Sequence, residues 1–307
     1  MRKAFIQSLL KLAHTDERVM LLTADLGYLV IEEFIETFPH RFVNVGVAEQ
    51  NMVGIATGLA EAGFIPYIYS ITPFAALRPF EFIRNGPIYH NLPVRIVGVG
   101  QGVEYGINGL SHYALEDIGV LRTQPNLTII APADNAQTRN AVERTYDLPG
   151  PIYFRLSKDN VDIPELEGKF EIGQIQQVGH GTDLLMISTG AITQEAIQAA
   201  RILAENGLNA TILVIASISP SPEKQLIDML SKFRCVFTLE AHYTTGGIGS
   251  LIAELAAENN LALKLTRFGF TSILNGTVGS AASIYALHGL SSEKVAGRIQ
   301  EILENHV

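Results

Sequence analysis

An acid, an aromatic ring and a histidine in this chain have types and settings that suit one shared piece of chemistry. Glu49 stands in Val45-Gly46-Val47-Ala48-Glu49-Gln50-Asn51, where a strand pattern gives way to an apolar helix (Met52, Val53, Ile55, Leu59). A carboxyl group held out of water at such a turn can shuttle a proton. Equally, an acid at a helix start is favoured by the macrodipole and needs no other role. Phe74 offers a face for a planar ring to stack on. Its alternative is core packing, because Phe74, Leu77, Phe80 and Phe82 share one predicted helix and some must face inward. His112 closes the Gly-rich run Gly106-Ile107-Asn108-Gly109-Leu110-Ser111 after a strand ending at Val99. A histidine at a strand's carboxyl end can hydrogen-bond a sugar hydroxyl or carbonyl and move a proton near neutral pH. Capping the next helix is its ordinary alternative. Arg2, Arg78, Arg155 and Lys158 are cations near predicted element ends, suited to an anionic ligand or to surface ion pairs.

Other candidates say less. His14, His40, His90, His180, His242, His288 and His306 have no metal-ligand spacing, so they read as ordinary helix, loop or tail residues and no metal site is expected in this chain. Gly246-Gly247-Ile248-Gly249 opens a helix in the manner of a phosphate loop, a weak pattern alone. Cys235, the single cysteine, reads as a small buried hydrophobe.

The elements that must position these residues alternate along the whole chain. Strands are expected at 19–23, 42–45, 65–69, 94–99, 127–131 and 152–156, with helices near 4–13, 31–38, 50–62, 74–89, 114–122 and 136–146. Gly63 fits the C′ position of the third helix and Asp134 the N-cap of the sixth. A polar stretch follows, and then a second series: strands at 184–188, 210–215, 235–239 and 263–265, helices at 194–206, 223–232, 249–259 and 293–303. Alternating β and α units predict α/β architecture: two doubly wound domains with mostly parallel sheets covered on both faces. The division expected is a first domain over 1–158, a linker over 159–181 and a second domain over 182–307. Ligands should lie at the carboxyl ends of the strands.

Composition sets the outer bounds. The 307 residues are 47% hydrophobic and only 17% charged, against about 25% charged in a usual soluble domain. That deficit implies a large buried area and buried interfaces. A net charge of −9 argues against a nucleic-acid or anionic-membrane surface. One cysteine permits no intramolecular disulfide, which suits a reducing compartment. No stretch is long and apolar enough to span a bilayer, and the opening Met1-Arg2-Lys3-Ala4-Phe5 runs straight into an amphipathic pattern, so a cytoplasmic location is expected.

The motifs taken in order resemble the last two domains of the transketolase family of thiamine-diphosphate enzymes. The resemblance rests on Arg2-Lys3-Ala4, Leu22-Thr23-Ala24-Asp25-Leu26, Glu49-Gln50-Asn51 with Gly54, Ala56, Gly58 and Leu59, and Pro73-Phe74 through Arg78 with Phe80-Glu81. It continues through Gly106 to His112 with Ala114, Glu116-Asp117 and Arg122, then Pro125-Asn126, Ala131-Pro132-Ala133-Asp134, and Glu240 with Gly246 to Gly249. It implies that Glu49 bonds a ring nitrogen of the coenzyme's aminopyrimidine and delivers a proton there, with the coenzyme supplying carbanion chemistry. Phe74 would stack on that ring, with Tyr69 as a substitute, and Arg78 would lie against the coenzyme. Asp25 and Gln50 would make interface contacts near it. His112 would touch the donor's oxygens. Asn108 stands where close members carry Asp, and Lys158 at or near an Arg of sugar-phosphate-using members. Arg2, Arg155, Lys158 and Asn108 are thus candidates for the substrate, a sugar phosphate. The glycines at 246–249 would serve packing and dimer contacts.

One family feature is missing. No Gly-Asp-Gly occurs in this chain, and with a downstream Asn that run holds Mg²⁺ and the diphosphate. The resemblance therefore implies a split enzyme whose partner is an N-terminal subunit with the diphosphate-binding domain. A homodimer core within a heterotetramer is expected. The implied reaction moves a two-carbon ketol unit from a ketose to an aldose. The alternatives are the beta subunit of a 2-oxo acid dehydrogenase, a split deoxyxylulose-phosphate synthase, or a silent scaffold subunit.

Overall fold

A computed structural model describes residues 1–304; His306, read above as a tail residue, lies outside them. Among the described residues twelve strands form two sheets. In chain order they are β1 (Val19–Thr23), β2 (Phe42–Asn44), β3 (Ile65–Ile71), β4 (Arg95–Val99), β5 (Thr128–Ile130), β6 (Ile152–Leu156), β7 (Gln176–Val178), β8 (Leu184–Ser188), β9 (Ala210–Val214), β10 (Ser217–Ser219), β11 (Cys235–Tyr243) and β12 (Lys264–Phe270). The first sheet runs β10-β5-β6-β4-β3-β1-β2 and the second β12-β11-β8-β9-β7. All pairings are parallel except β10 against β5 and β7 against β9. The predicted α/β class with mostly parallel sheets is what the chain adopts.

The reason is legible in the strands. β1, β4, β6 and β8 are buried along their whole length, as strands covered on both faces must be. Side chains alternate between two apolar clusters: Leu184 and Met186 of β8 enter one, with Phe5, Leu9 and Phe237, while Leu185 and Ile187 enter the other, with Met52, Val53 and Ile96. Each cluster draws residues from both halves of the chain, so both halves share their apolar layers.

Three differences from the expected elements have physical causes. The single helix predicted over 74–89 is a wide π turn at Pro73–Leu77, an α-helix at Phe80–Ile83 and a second π turn at Arg84–Ile88. Pro79 and Pro87 lack the amide hydrogen that an unbroken α ladder needs. The helix predicted over 114–122 shortens to Asp117–Leu121, because Ala114 is drawn into a bridge with Gly102. Strands β7 and β10 and a helix at Ala281–Leu287 were not expected. Each is three to seven residues long, too short to carry a clear period. Cys235 is half-buried and packs against the core rather than lying within it.

Candidate functional site

The candidate residues gather at the carboxyl edge of the first sheet. Lys158 follows β6, His112 lies on the loop after β4, Phe74 and Arg78 follow β3, Asp25 follows β1 and Glu49 follows β2. Spatial order in the sheet is β6-β4-β3-β1-β2, so the side chains are laid out in a row. Contacts trace that row. Lys158 Nζ lies 5.3 Å from the Tyr105 ring centre, and Tyr105 lies 6.3 Å from the His112 ring. His112 meets Phe74 edge-on at 5.1 Å, and the Arg78 guanidinium covers Phe74 at 4.2 Å. Arg78 Nη1 then donates to Glu49 Oε1 at 2.7 Å. Four strand spacings separate β6 from β2, a span of roughly 19 Å.

Glu49 is placed by a tight turn. Gly46 adopts φ +70°, a conformation glycine enters at no steric cost. Asn44 Oδ1 accepts from Gly46 N and from Asp25 N, each at 3.0 Å, tying the turn after β2 to the turn after β1. The helix Glu49–Glu61 starts there. Its carboxyl group is only 2% exposed, while Arg78 is 40% exposed, so the acid is sheltered and its partner reaches solvent. The π turn sets that partnership. The Arg78 amide bonds back to Pro73 O rather than to Phe74 O, and this register brings the guanidinium over the Phe74 ring.

His112 is half-buried. Burial, and then the positive charge of Arg78, pull its imidazole below the ordinary histidine range. Ser111 Oγ lies 3.0 Å from Nδ1, while Nε2 has no hydrogen-bond partner among the described residues. The histidine is thus held largely neutral at pH 7, ready to accept a hydrogen bond or a proton.

Two residues of this row were not singled out in the sequence, Glu104 and Tyr105. The Tyr105 ring lies against Gly100, where any Cβ would run into it. Glu104 is buried; its Oε2 accepts from Gln101 N at 3.2 Å and from Lys158 N at 2.8 Å. Burial pushes its carboxyl up to about 7. Arg2 Nε donates to the Lys158 carbonyl at 2.7 Å. The only sequence signal for the pair was its place in a Gly-bounded loop after a strand.

Some expected residues lie elsewhere. Arg155 is a correction: it is fully buried and pairs with Asp117 at 2.7 Å, so no substrate reaches it. Its Nη2 also donates to Ala114 O and Ala241 O, and Tyr153 donates its hydroxyl to Asp117. Burial pushes the Asp117 carboxyl up, but Arg155 overcomes that and holds it below the usual range. Asp25, Gln50 and Asn108 are exposed, Asp25 on the turn after β1, Gln50 in the first turn of the Glu49–Glu61 helix and Asn108 on the loop before His112. His242, read as ordinary, is buried: its Nδ1 bonds Tyr243 O at 2.7 Å and its Nε2 accepts from Gly119 N at 3.2 Å. The glycines at 246–249 do not form an open phosphate loop. Glu240 already fills that helix start, its two oxygens accepting from Ile248 N at 2.8 Å and Gly249 N at 2.9 Å. A Cβ at Gly247 would run into that carboxyl group.

These residues fit the ring end of thiamine diphosphate, with a sheltered acid beside an aromatic face. They do not supply the charged end. The Gly-rich helix start that resembles an anion site is occupied by Glu240, and no group of three or more His, Cys, Asp or Glu is placed to hold a metal among the described residues.

Fold and site together define the class: a pyrimidine-binding α/β half joined to a C-terminal α/β half. Family models agree, with "Transketolase, pyrimidine binding domain" matching residues 1–164 and "Transketolase, C-terminal domain" matching residues 173–295. The chain is 39% identical to a protein named as a transketolase C-terminal section from Methanocaldococcus jannaschii, over 98% of this chain and 95% of that one. It is 32% identical to one of the subunits of the apulose-4-phosphate transketolase of Phocaeicola vulgatus, over 99% and 97% of the two chains. A solved structure described as a split gene transketolase, an inactive beta4 tetramer, superposes with TM-score 0.86 at 32% identity, covering 98% of this chain and 96% of that one. The chain belongs to the transketolase family.

Proposed function

We propose that this chain is one half of a two-chain, thiamine-diphosphate-dependent transketolase, moving a two-carbon ketol unit from a ketose phosphate to an aldose. Bound coenzyme supplies the carbanion chemistry. Glu49 bonds the coenzyme's ring nitrogen and holds or returns a proton there. Phe74 stacks on the ring, and Arg78 keeps the Glu49 carboxyl group aimed. Asp25, on the turn after β1, and Gln50, in the first turn of the Glu49 helix, meet the partner chain near the coenzyme. His112, with Nε2 free, contacts donor oxygens; Asn108 lies at the mouth of the same loop. Lys158 and Arg2, at the far end of the row, meet the phosphate. The partner chain brings the diphosphate-binding domain and Mg²⁺, and two copies of this chain form the core of a heterotetramer in the cytoplasm.

The observation that carries this reading is the continuous row from Glu49 to Lys158 across the strand ends. Surface chemistry supports the partner. Loops around the row expose Tyr28, Leu29, Val47, Ile107 and Leu110, an apolar rim of the kind that marks a protein contact. The test is Glu49→Ala in the reconstituted two-chain enzyme. Loss of a proton-transfer group lowers turnover about 10²- to 10⁴-fold while assembly persists; near-normal turnover in the variant refutes the assignment.

A further inference from the structure

Lys158 is the cation at the far end of the row, and the chain restrains it at three points. Its amide donates to buried Glu104, its carbonyl accepts from Arg2, and its ammonium lies over the face of Tyr105. Tyr105 in turn cannot slide away. Its ring rests on Gly100, which has no side chain to lift it, and Gly100 takes φ +91°, a conformation that disfavours other residues. The loop residue before it, Glu104, is fastened to the backbone of Lys158. A lysine on a flexible four-carbon stem binds an anion poorly unless its freedom is already reduced. A ring beneath the ammonium provides that restraint and leaves its other side open to an anion.

We propose that Tyr105 is a positioning residue for Lys158, and that through it the site prefers donors carrying a terminal phosphate. The proposal deepens the functional reading above and rests on Lys158 meeting that phosphate. Tyr105 touches no reacting atom. Its ring sets where the ammonium stands, with His112 on its other flank marking the end of the row nearer the coenzyme ring.

The experiment uses the two-chain enzyme and compares kcat/KM for a ketose phosphate with kcat/KM for the same ketose lacking phosphate. Lys158→Ala removes the charge and defines the full loss of preference. Tyr105→Leu keeps an apolar cover on Gly100 but has no aromatic face, and the preference falls about threefold to tenfold. The change appears in KM for the phosphorylated donor, with the unphosphorylated donor unaffected. Tyr105→Phe retains the face and restores the preference. Calorimetry with a phosphorylated sugar alcohol, which has the anion but no reacting carbonyl, shows the same ranking of variants. If Lys158→Ala abolishes the preference and Tyr105→Leu leaves it intact, the role of Tyr105 is overturned while Lys158 keeps its own. If Lys158→Ala leaves the preference unchanged, Lys158 does not meet the phosphate and both statements fall. Equal losses on both donors in Tyr105→Leu with no rescue by Phe assign Tyr105 to structure alone and also overturn the proposal.

Discussion

Glu104 titrates in an unusual range because it is buried, with the charge of Asp159 adding a smaller push in the same direction. Burial comes first, opposed by the hydrogen bond from the Lys158 amide, and the result is about 7 against an ordinary 4.5. Between those values the folded chain keeps a proton that the unfolded chain has released. The stabilisation tied to this proton is full below about pH 4.5 and is lost as pH rises through about 7, with a slope of up to about 1.4 kcal/mol per pH unit. Other groups titrate nearby: Glu240 is also raised to about 7 and the Met1 amine is lowered to about 6. The Glu104→Gln variant isolates one of them, since its single carbonyl oxygen can accept both amides. Its melting temperature minus that of the wild type climbs from pH 5 to pH 7 and levels off above. A difference that stays flat across this range contradicts the assignment. Glu104 was silent in the sequence for the same reason it is unusual here, since nothing local marks an acid for burial. Arg155 misled in the opposite sense. A cation close to a strand's carboxyl end has the sequence look of a ligand-binding group, but β6 is covered on both faces and Arg155 finds Asp117 inside. Glu49 and His112 drew attention in the sequence because glycines stand beside them at a strand's end, whereas Phe74 stood out only through the ordered motifs that resemble the family. Arg78 reached Glu49 through a π turn that no period announces.

At the scale of elements, the helix Ile248–Glu258 begins on a buried acid rather than on solvent or a ligand. Its first amides are among the orphan donors of any helix start, and Glu240, from β11, satisfies two of them. Glycine at 247 lets the carboxyl group approach. Removing the acid leaves both donors buried and unpaired, each costing about 1–3 kcal/mol. Glu240→Ala therefore lowers the unfolding free energy by about 2–6 kcal/mol, read from denaturant midpoints, and an unchanged midpoint would show that solvent reaches those amides. The regular elements were readable because parallel strands bury both faces and the longer helices repeat apolar residues along one side; one of them also has a legible cap, Asp134, which accepts from Gln137 N at 2.6 Å. The π turns, β7 and β10 were not. They are short, and β10 owes its existence to the exposed edge of β5 rather than to its own Ser-Ile-Ser.

On the scale of the molecule, two features point to incompleteness. The site has a sheltered acid, a ring and a histidine, but no group to hold the metal at the coenzyme's charged end stands beside them among the described residues. The rim around it is apolar, matching a sequence with few charges for its length. Family membership was readable from the ordered motifs, whereas the row from Glu49 to Lys158 required the sheet order. That order is set by crossovers, which sequence spacing does not fix. The central claim is that the coenzyme site is divided between two polypeptides. Its most direct measurement is calorimetric titration of thiamine diphosphate with Mg²⁺ into this chain alone, into the chain carrying the diphosphate-binding domain alone, and into their mixture. Full-strength, Mg²⁺-dependent binding is predicted only in the mixture, weakened there by Glu49→Ala. Binding of the same strength and Mg²⁺ dependence by this chain alone would contradict the claim.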